Sequence, residues 1–307
     1  MEAILEKLET ELQKAIVNPN YKTTENMREG LLKLWTDPDS EKGKPLPWKN
    51  VELSLKNELY LLTGIPSSGK STWLDNVIVS SIKDHRKKWA IFSPESHPVE
   101  LHLKQLIEIF THTNFYGAYN YPKTSQEEID KAIYKLSRSV YMMTPTDENL
   151  TIEALLELVE FLIEEHGVNS FVLDPYNEFS HTRPSGMSET EYVSRFLGRV
   201  RQFVNKHDVM AWIVAHPTKL RKEEVPVKGG GTILDYPCPT AYDIAGSANF
   251  FNKADCIIAV HRDKDINRNP DNLVDIVVQK VRRKTTGKLG TYTLKFNYND
   301  GTYTEAM

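Results

Sequence analysis

The sequence predicts an α/β fold: a mostly parallel sheet flanked by helices, extended at its C-terminal end by antiparallel strands. Three observations predict it. Between residues 59 and 216, short apolar runs alternate with segments of helical period, the pattern of βα units whose sheet is covered on both faces. From about residue 256 onward the helical segments stop and strands follow one another directly, which implies antiparallel pairing. Between the first apolar run and the first helix stands Gly64-Ile65-Pro66-Ser67-Ser68-Gly69-Lys70-Ser71, which fits G-x-x-x-x-G-K-[ST] in the strand–loop–helix setting that motif requires.

Taken in order, Ile4, Leu5, Leu8, Leu12, Ala15 and Ile16 recur at helical spacing, and Asn18-Pro19 ends the pattern. A second helical patch runs from about Thr24 to Trp35, followed by the polar, proline-containing stretch DPDSEKGKPLP. Residues 1–47 therefore read as a helical arm or linker and 48–307 as the main domain. The arm's apolar face packs either on its own domain or on a neighbouring subunit. Strand 59–63 leads into helix 70–84, strand 89–93 into a helix near 98–112. Ser125-x-x-Glu128 is a capping box opening another helix. VYMMT (140–144) is a short strand, and Thr151 caps helix 152–165. SFVLD (170–174) is a buried strand, Ser188-x-x-Glu191 a second capping box for a helix to about Lys206, and VMAWIVAH (209–216) the next strand. Strands near 256–261, 273–281, 290–297 and 302–304 complete the chain.

The composition narrows the function classes. The chain has 307 residues, 40% hydrophobic and 26% charged, enough for one large domain with an appendage. Its net charge of −4 excludes whole-molecule attraction to nucleic acid, so any such binding must come from local basic clusters. Cys238 and Cys256 lack metal-ligand spacing, and the acidic, amphipathic start MEAILEKLETELQK is unlike a signal peptide. No apolar run is long enough to span a membrane. A reduced, cytoplasmic chain is expected.

The phosphate loop sets the chemistry. Gly64 and Gly69 let the backbone turn tightly and bring N–H groups, with those of Ser67, Ser68 and Thr72, toward phosphate oxygens at a helix N-terminus. Lys70 reaches the β/γ-phosphates, and the Ser71 hydroxyl ligates Mg²⁺ beside ATP or another NTP. FVLDPYNEF puts Asp174 at the end of an apolar strand, the place for a second carboxylate holding Mg²⁺. Because Pro175 rather than an acid follows it, the base must come from elsewhere. Glu178 in the next loop reads as structural or DNA-side. FSPE places Glu95 just past the strand after the P-loop helix, where it can orient and deprotonate the attacking water. AWIVAHPTK ends a strand on His216, placed to sense the γ-phosphate. The loop beyond it carries Lys219, Arg221, Lys222 and Lys228 before Gly229-Gly230-Gly231, a cationic stretch suited to a nucleic-acid backbone. VQKVRRKTTGKLG is the densest positive segment. In it Lys280 and Arg282 share one side of an extended chain, and since the P-loop has its own Lys70, the pair suggests a finger supplied across a subunit interface.

Five motifs in order, GIPSSGKST, FSPE, FVLDPYNEF, VAHPTK, and DIAGSANFFNKAD with QKVRRKTTGKLG, give a resemblance. Over roughly residues 48–304 the chain resembles the RecA-like motor domain of DnaB-type hexameric replicative helicases, and is most similar to the Twinkle-type primase-helicases of phages and mitochondria. The resemblance implies a RecA-like P-loop core, Glu95 as catalytic glutamate, Asp174 as the metal-holding aspartate, His216 as sensor, and Lys280 with Arg282 as a trans-acting K-x-R finger. It implies that Gly246, Ser247 and Asn249 line a DNA channel; Ala245 stands where some relatives carry an arginine. It further implies ATP and Mg²⁺ as cofactors, single-stranded DNA as partner, a homo-oligomeric ring, a primase domain or partner, and a phage or bacterial replication context. The 47-residue arm is too short for a primase segment, so either the helicase part of a primase-helicase or a free-standing helicase is expected. Two other readings stay open: a recombination ATPase of the RecA or RadA class, and a RecA-like signalling ATPase that binds protein rather than DNA.

Overall fold

The computed structural model describes residues 22–118, 120–145, 151–178, 185–218, 220–226, 231–244, 247–263 and 269–306. By internal contacts the chain divides into two units, Met1–Gly43 and Lys44–Met307. In the first, helix α1 (Thr24–Thr36) opens on a capping box between Thr23 and Asn26 and exposes Met27, Leu31, Leu34 and Trp35. The helix expected over residues 4–16 lies outside the described residues.

The second unit runs β1 (Lys44–Pro45), β2 (Ser54–Leu55), β3 (Leu59–Thr63), α2 (Lys70–His85), β4 (Trp89–Phe92), α3 (Val99–Thr111), α4 (Gln126–Leu136), β5 (Val140–Met142), α5 (Ile152–His166), β6 (Ser170–Leu173), α6 (Glu189–His207), β7 (Met210–Ala215), β8 (Glu223–Pro226), β9 (Thr232–Asp235), α7 (Ser247–Lys253), β10 (Cys256–His261), β11 (Leu273–Val281), β12 (Gly290–Phe296) and β13 (Tyr303–Glu305). Nine strands form one sheet in the order β13-β12-β11-β10-β3-β7-β6-β4-β5. The six from β10 to β5 are parallel, and β10 to β13 pair antiparallel. The mostly parallel sheet with an antiparallel extension, predicted from the spacing, is what forms.

The central strands are apolar throughout because both their faces are covered. On one face Tyr60 and Leu62 of β3 pack with Trp73, Val77 and Ile78 of α2 and with Trp212; on the other, Leu59 and Leu61 pack with α5 and α6 through Val159, Phe196 and Val200. Aromatic stacking joins the first layer: Tyr60 on Trp212 at 4.5 Å and Trp48 on Trp73 at 5.9 Å between ring centroids. β11, by contrast, alternates buried and half-buried positions, as an antiparallel strand with one wetter face does. Both expected capping boxes form, Ser125 with Glu128 and Ser188 with Glu191. The stretch after His216, expected as a basic loop, instead contains the antiparallel hairpin β8–β9, with Glu223 opposite Asp235.

This order fixes the site. β3, β7, β6 and β4 are adjacent and parallel, so the segments that follow them emerge side by side at one end of the sheet.

Candidate functional site

The loop after β3 turns tightly against its surroundings. A Cβ at Gly64 would stand 2.5 Å from the Val260 carbonyl and 2.6 Å from Ser68 Oγ, and one at Gly69, whose φ is +96°, 2.6 Å from Tyr303 Oη. Only glycine fits either place. Tyr303 Oη also donates to Gly69 O at 3.2 Å, so the last strand braces the loop. α2 begins at Lys70, whose ammonium donates to the carbonyls of Gly64 at 2.9 Å and Ile65 at 3.1 Å. With Ser67, Ser68 and Thr72 around it, this N-terminus presents a cradle for phosphate oxygens.

Ser71 Oγ donates to Asp174 Oδ2 at 2.8 Å, joining two residues 103 positions apart. Burial, opposed by that bond and by Lys70 but helped by Asp75 and Glu95, pushes the Asp174 carboxyl up to about 6. Its second oxygen, Oδ1, is buried without a hydrogen-bond partner. A buried carboxylate with one oxygen on a serine hydroxyl and one to spare is an oxygen donor set that suits Mg²⁺. Glu95, 58% exposed, lies past β4, with Oε1 3.8 Å from His216 Nε2. His216 follows β7; burial and the Lys70 charge hold its ring below its ordinary pKa, with Glu95 opposing, and its Nδ1 is buried without a partner. Its backbone N–H donates to Asn177 Oδ1 at 3.4 Å. Lys70, Ser71, Glu95, Asp174 and His216 thus gather at one end of the sheet.

Lys280 and Arg282 lie at the other. Val281 pairs with Cys256, the first residue of β10, and the Asp255 N–H donates to Leu59 O, at the start of β3. At roughly 3.3 Å per residue, β3 alone puts roughly 16 Å between these residues and the P-loop. Lys280 Nζ donates to the carbonyls of Phe251 and Ala254, the latter at 2.8 Å. Arg282 Nη2 donates to Asn252 O at 2.9 Å, and its Nε pairs with Asp255 Oδ1 at 2.8 Å. The positive run here is less bare than its sequence suggests, because Arg283 pairs with Glu58 and Lys288 with Glu52.

Of the nucleic-acid candidates, Arg221 and Lys222 are exposed just before β8, and Lys222 Nζ lies 5.4 Å from the Tyr236 ring. Ser247 opens α7, and Asn249 Nδ2 donates to Thr190 O at 3.0 Å. Lys219, Lys228, Ala245 and Gly246 lie outside the described residues. Sequence reasoning missed Tyr303, Asn177 and Asp75, and also Arg262, whose guanidinium sits 4.8 Å over Tyr298, two residues past the carbonyl that crowds Gly64.

A phosphate loop on the central strand and a metal-type carboxylate two strands away, with an antiparallel extension beyond β10, define a RecA-like P-loop core. The chain belongs to the DnaB-like helicase C-terminal domain family, which it matches over residues 53–305. It is 35% identical over 274 residues to the chloroplastic/mitochondrial Twinkle homolog protein of Arabidopsis thaliana, covering 87% of this chain and 37% of that protein. It is 20% identical over 248 residues to a probable replicative DNA helicase of Trieres chinensis, covering 80% of this chain and 52% of that one. The chain thus spans about half or less of these curated relatives. In fold it resembles a solved structure described as an ATPase domain, with TM-score 0.71 and 16% identity over 92% of this chain and 99% of that one. A DnaB-like replicative helicase, described with its interactions with primase, gives 0.65 and 16% over 98% of this chain and 76% of that one. Among the described residues no helix is long and apolar enough to cross a membrane.

Proposed function

We propose that this chain is the motor of a replicative DNA helicase: an ATP-hydrolysing subunit that assembles with copies of itself into a ring, by the motif resemblance a hexamer, and moves along single-stranded DNA. One observation carries the reading. The residues proposed for hydrolysis are split, with Lys70, Ser71, Glu95 and Asp174 at one end of the sheet and Lys280 and Arg282 at the other. A finger that far from its own P-loop serves a neighbour's.

In this reading the P-loop N–H groups and Lys70 bind the triphosphate, and Ser71 and Asp174 hold Mg²⁺. The ion, when bound, neutralises charge on the β- and γ-phosphates. Glu95 accepts a proton from the attacking water, and a neutral His216 stands 3.8 Å from it to report the γ-phosphate. Arg221, Lys222, Lys219 and Lys228, with Gly246, Ser247 and Asn249, are the candidates to bind the DNA. The family resemblance suggests a primase domain or partner and a phage or bacterial replication setting, while the Arabidopsis relative is chloroplastic/mitochondrial.

Hydrolysis by the full chain across protein concentration, with and without single-stranded DNA, together with strand displacement on a forked duplex, tests this. Turnover rising more steeply than concentration, DNA stimulation and displacement are expected. Stimulation without displacement would place the chain with recombination ATPases; hydrolysis indifferent to DNA would make it a protein-directed signalling ATPase.

A further inference from the structure

Helices α2 and α3 meet through a polar network whose α3 members, His102 and Gln105, have no role in the chemistry above. Asp75 and His102 are buried, their side chains 4% and 8% exposed, and His102 Nε2 lies 2.8 Å from Asp75 Oδ1. Gln105 Nε2 donates to the other Asp75 oxygen at 2.9 Å and to Thr72 Oγ1 at 3.2 Å. Burial works against charging the His102 ring, but the charge and hydrogen bond of Asp75 outweigh it and hold its pKa above the ordinary value.

The placement is what matters. Asp75 stands one helical turn beyond Ser71, on the same face of α2. His102 and Gln105 share one face of α3, whose first residue, Val99, follows Glu95 by only four positions. The network therefore ties the turn carrying Lys70, Ser71 and Thr72 to the helix that ends the Glu95 loop. Glu95 itself is 58% exposed and leans on His216 at 3.8 Å, so its location depends on the backbone between β4 and α3. Packing alone does not explain the choice of residues. A buried ion pair is commonly no more stabilising than apolar side chains of the same volume, whereas its hydrogen bonds fix distance and register.

We infer that Asp75, His102 and Gln105 are positioning residues for hydrolysis: their network sets the distance between the Glu95 loop and the P-loop turn. The inference rests on the nucleotide-hydrolysing reading of the site. None of the three touches the reacting atoms; they act through Thr72 and the start of α3.

The test compares His102→Leu, His102→Gln and Gln105→Leu in the full chain by steady-state ATP hydrolysis and equilibrium binding of a fluorescent ATP analogue. A misplacement near 1 Å costs about 10²-fold, so both leucine variants should lose kcat by about 10- to 100-fold with KM and analogue affinity within about threefold of wild type. His102→Gln, whose amide still donates to Asp75, should recover most of the loss, which a purely volume-filling role would not allow. Three results overturn the inference: leucine variants with kcat within about threefold of wild type, a loss carried by KM instead of kcat, or His102→Gln no better than His102→Leu. If His102→Leu does not fold, Gln105→Leu, only half-buried, decides alone. Absence of wild-type hydrolysis would overturn the reading of the site itself; wild-type turnover with unaffected variants overturns only the positioning network.

Discussion

Where β3 ends, Lys70 is buried and its ammonium is held by the carbonyls of its own loop, beside Asp174, Glu95 and His216. Where β3 begins, Lys280 is also held by backbone carbonyls, but Arg282 is 38% exposed, and Arg201 and Arg282 both lean on the single carboxylate of Asp255, at 3.2 and 2.8 Å. The first end combines one cation with acids and a metal-type oxygen set. The second has cations in excess and no hydrolytic acid. An exposed cationic surplus finds its complement in negative charge on another molecule, while an enclosed cation completes a site of its own. Two lysines with similar backbone contacts thus stand in opposite electrostatic settings, and the proposed function gives them different roles. It also predicts which substitutions complement each other.

The largest effect expected is at the cationic end. Arg282→Ala should lower turnover by about 10³- to 10⁵-fold, the worth of a finger acting in trans, and Lys70→Ala should be inactive and bind nucleotide poorly. Mixing these two inactive variants should restore partial hydrolysis, because some interfaces then pair an intact P-loop with an intact finger. No recovery in mixtures shown by cross-linking to contain both chains would mean that the two ends are not halves of one site.

At the acidic end, Glu95→Gln should lower kcat by about 10²- to 10⁴-fold, since the amide cannot accept the water's proton. Binding of a non-hydrolysable analogue should persist, because the phosphate cradle is built from the P-loop and not from the Glu95 loop. Turnover within about threefold of wild type leaves no room for a general base of that worth and would move the role to another residue.

The acidic end was far more legible in the sequence than the cationic one. The P-loop, Glu95, Asp174 and His216 follow buried parallel strands, and a parallel sheet sends the segments after its strands to one edge, so apolar runs alone located them. Lys280 and Arg282 could be grouped by alternation, but Asp255, Glu58 and Glu52, which pair with this basic run, lie far away in sequence and left no local signal. The β8–β9 hairpin went unseen because Glu223, Glu224 and Pro226 are poor strand formers and only the pairing with Thr232–Asp235 makes them extended. α7, at seven residues, is too short to show helical period. Tyr303, a strand residue, reaches the site through tertiary approach alone; Asp75 lies one helical turn past Ser71 but reads only as a polar helix position, because its partners His102 and Gln105 come from another helix.

A smaller effect follows from the burial of Asp174. Its carboxyl titrates near 6 in the fold against an ordinary 3.8, so the folded state favours the protonated form. The stability this confers is complete below the ordinary carboxylate range and is lost as pH rises through about 6, a cost of about 3 kcal/mol above it. Asp174→Asn, which cannot ionise, should therefore raise denaturant resistance of the nucleotide-free chain in EDTA at about pH 7.5, and the advantage should fade toward about pH 4. Added Mg²⁺ should favour the wild type, because the carboxylate then has a cation to bind. An advantage for Asn that is the same at every pH would assign it to packing instead of charge. Lys280→Ala, which removes no carboxyl, should show no such reversal with Mg²⁺, which makes the metal response a direct probe of how the two ends differ.

The smallest effect concerns a third group of cations that belongs to neither end. Arg221 and Lys222 are exposed before β8, and neither is placed in the hydrolytic site. If they meet a single-stranded backbone, replacing both by alanine should flatten the salt dependence of DNA binding by about 0.7 in log–log slope for each lost phosphate contact. Hydrolysis without DNA should be unchanged, since the substitutions leave Lys70, Asp174 and Glu95 in place. The stimulation of hydrolysis by DNA should weaken in step with binding. The measurement is a filter-binding or anisotropy titration of a fluorescent oligonucleotide over a range of salt. An unchanged slope would shift the DNA contact to other residues, with Asn249 and the start of α7 next in line. That outcome would also tie the DNA to the cationic end, because Lys280 and Arg282 hold the carbonyls of Phe251 and Asn252 in that same helix.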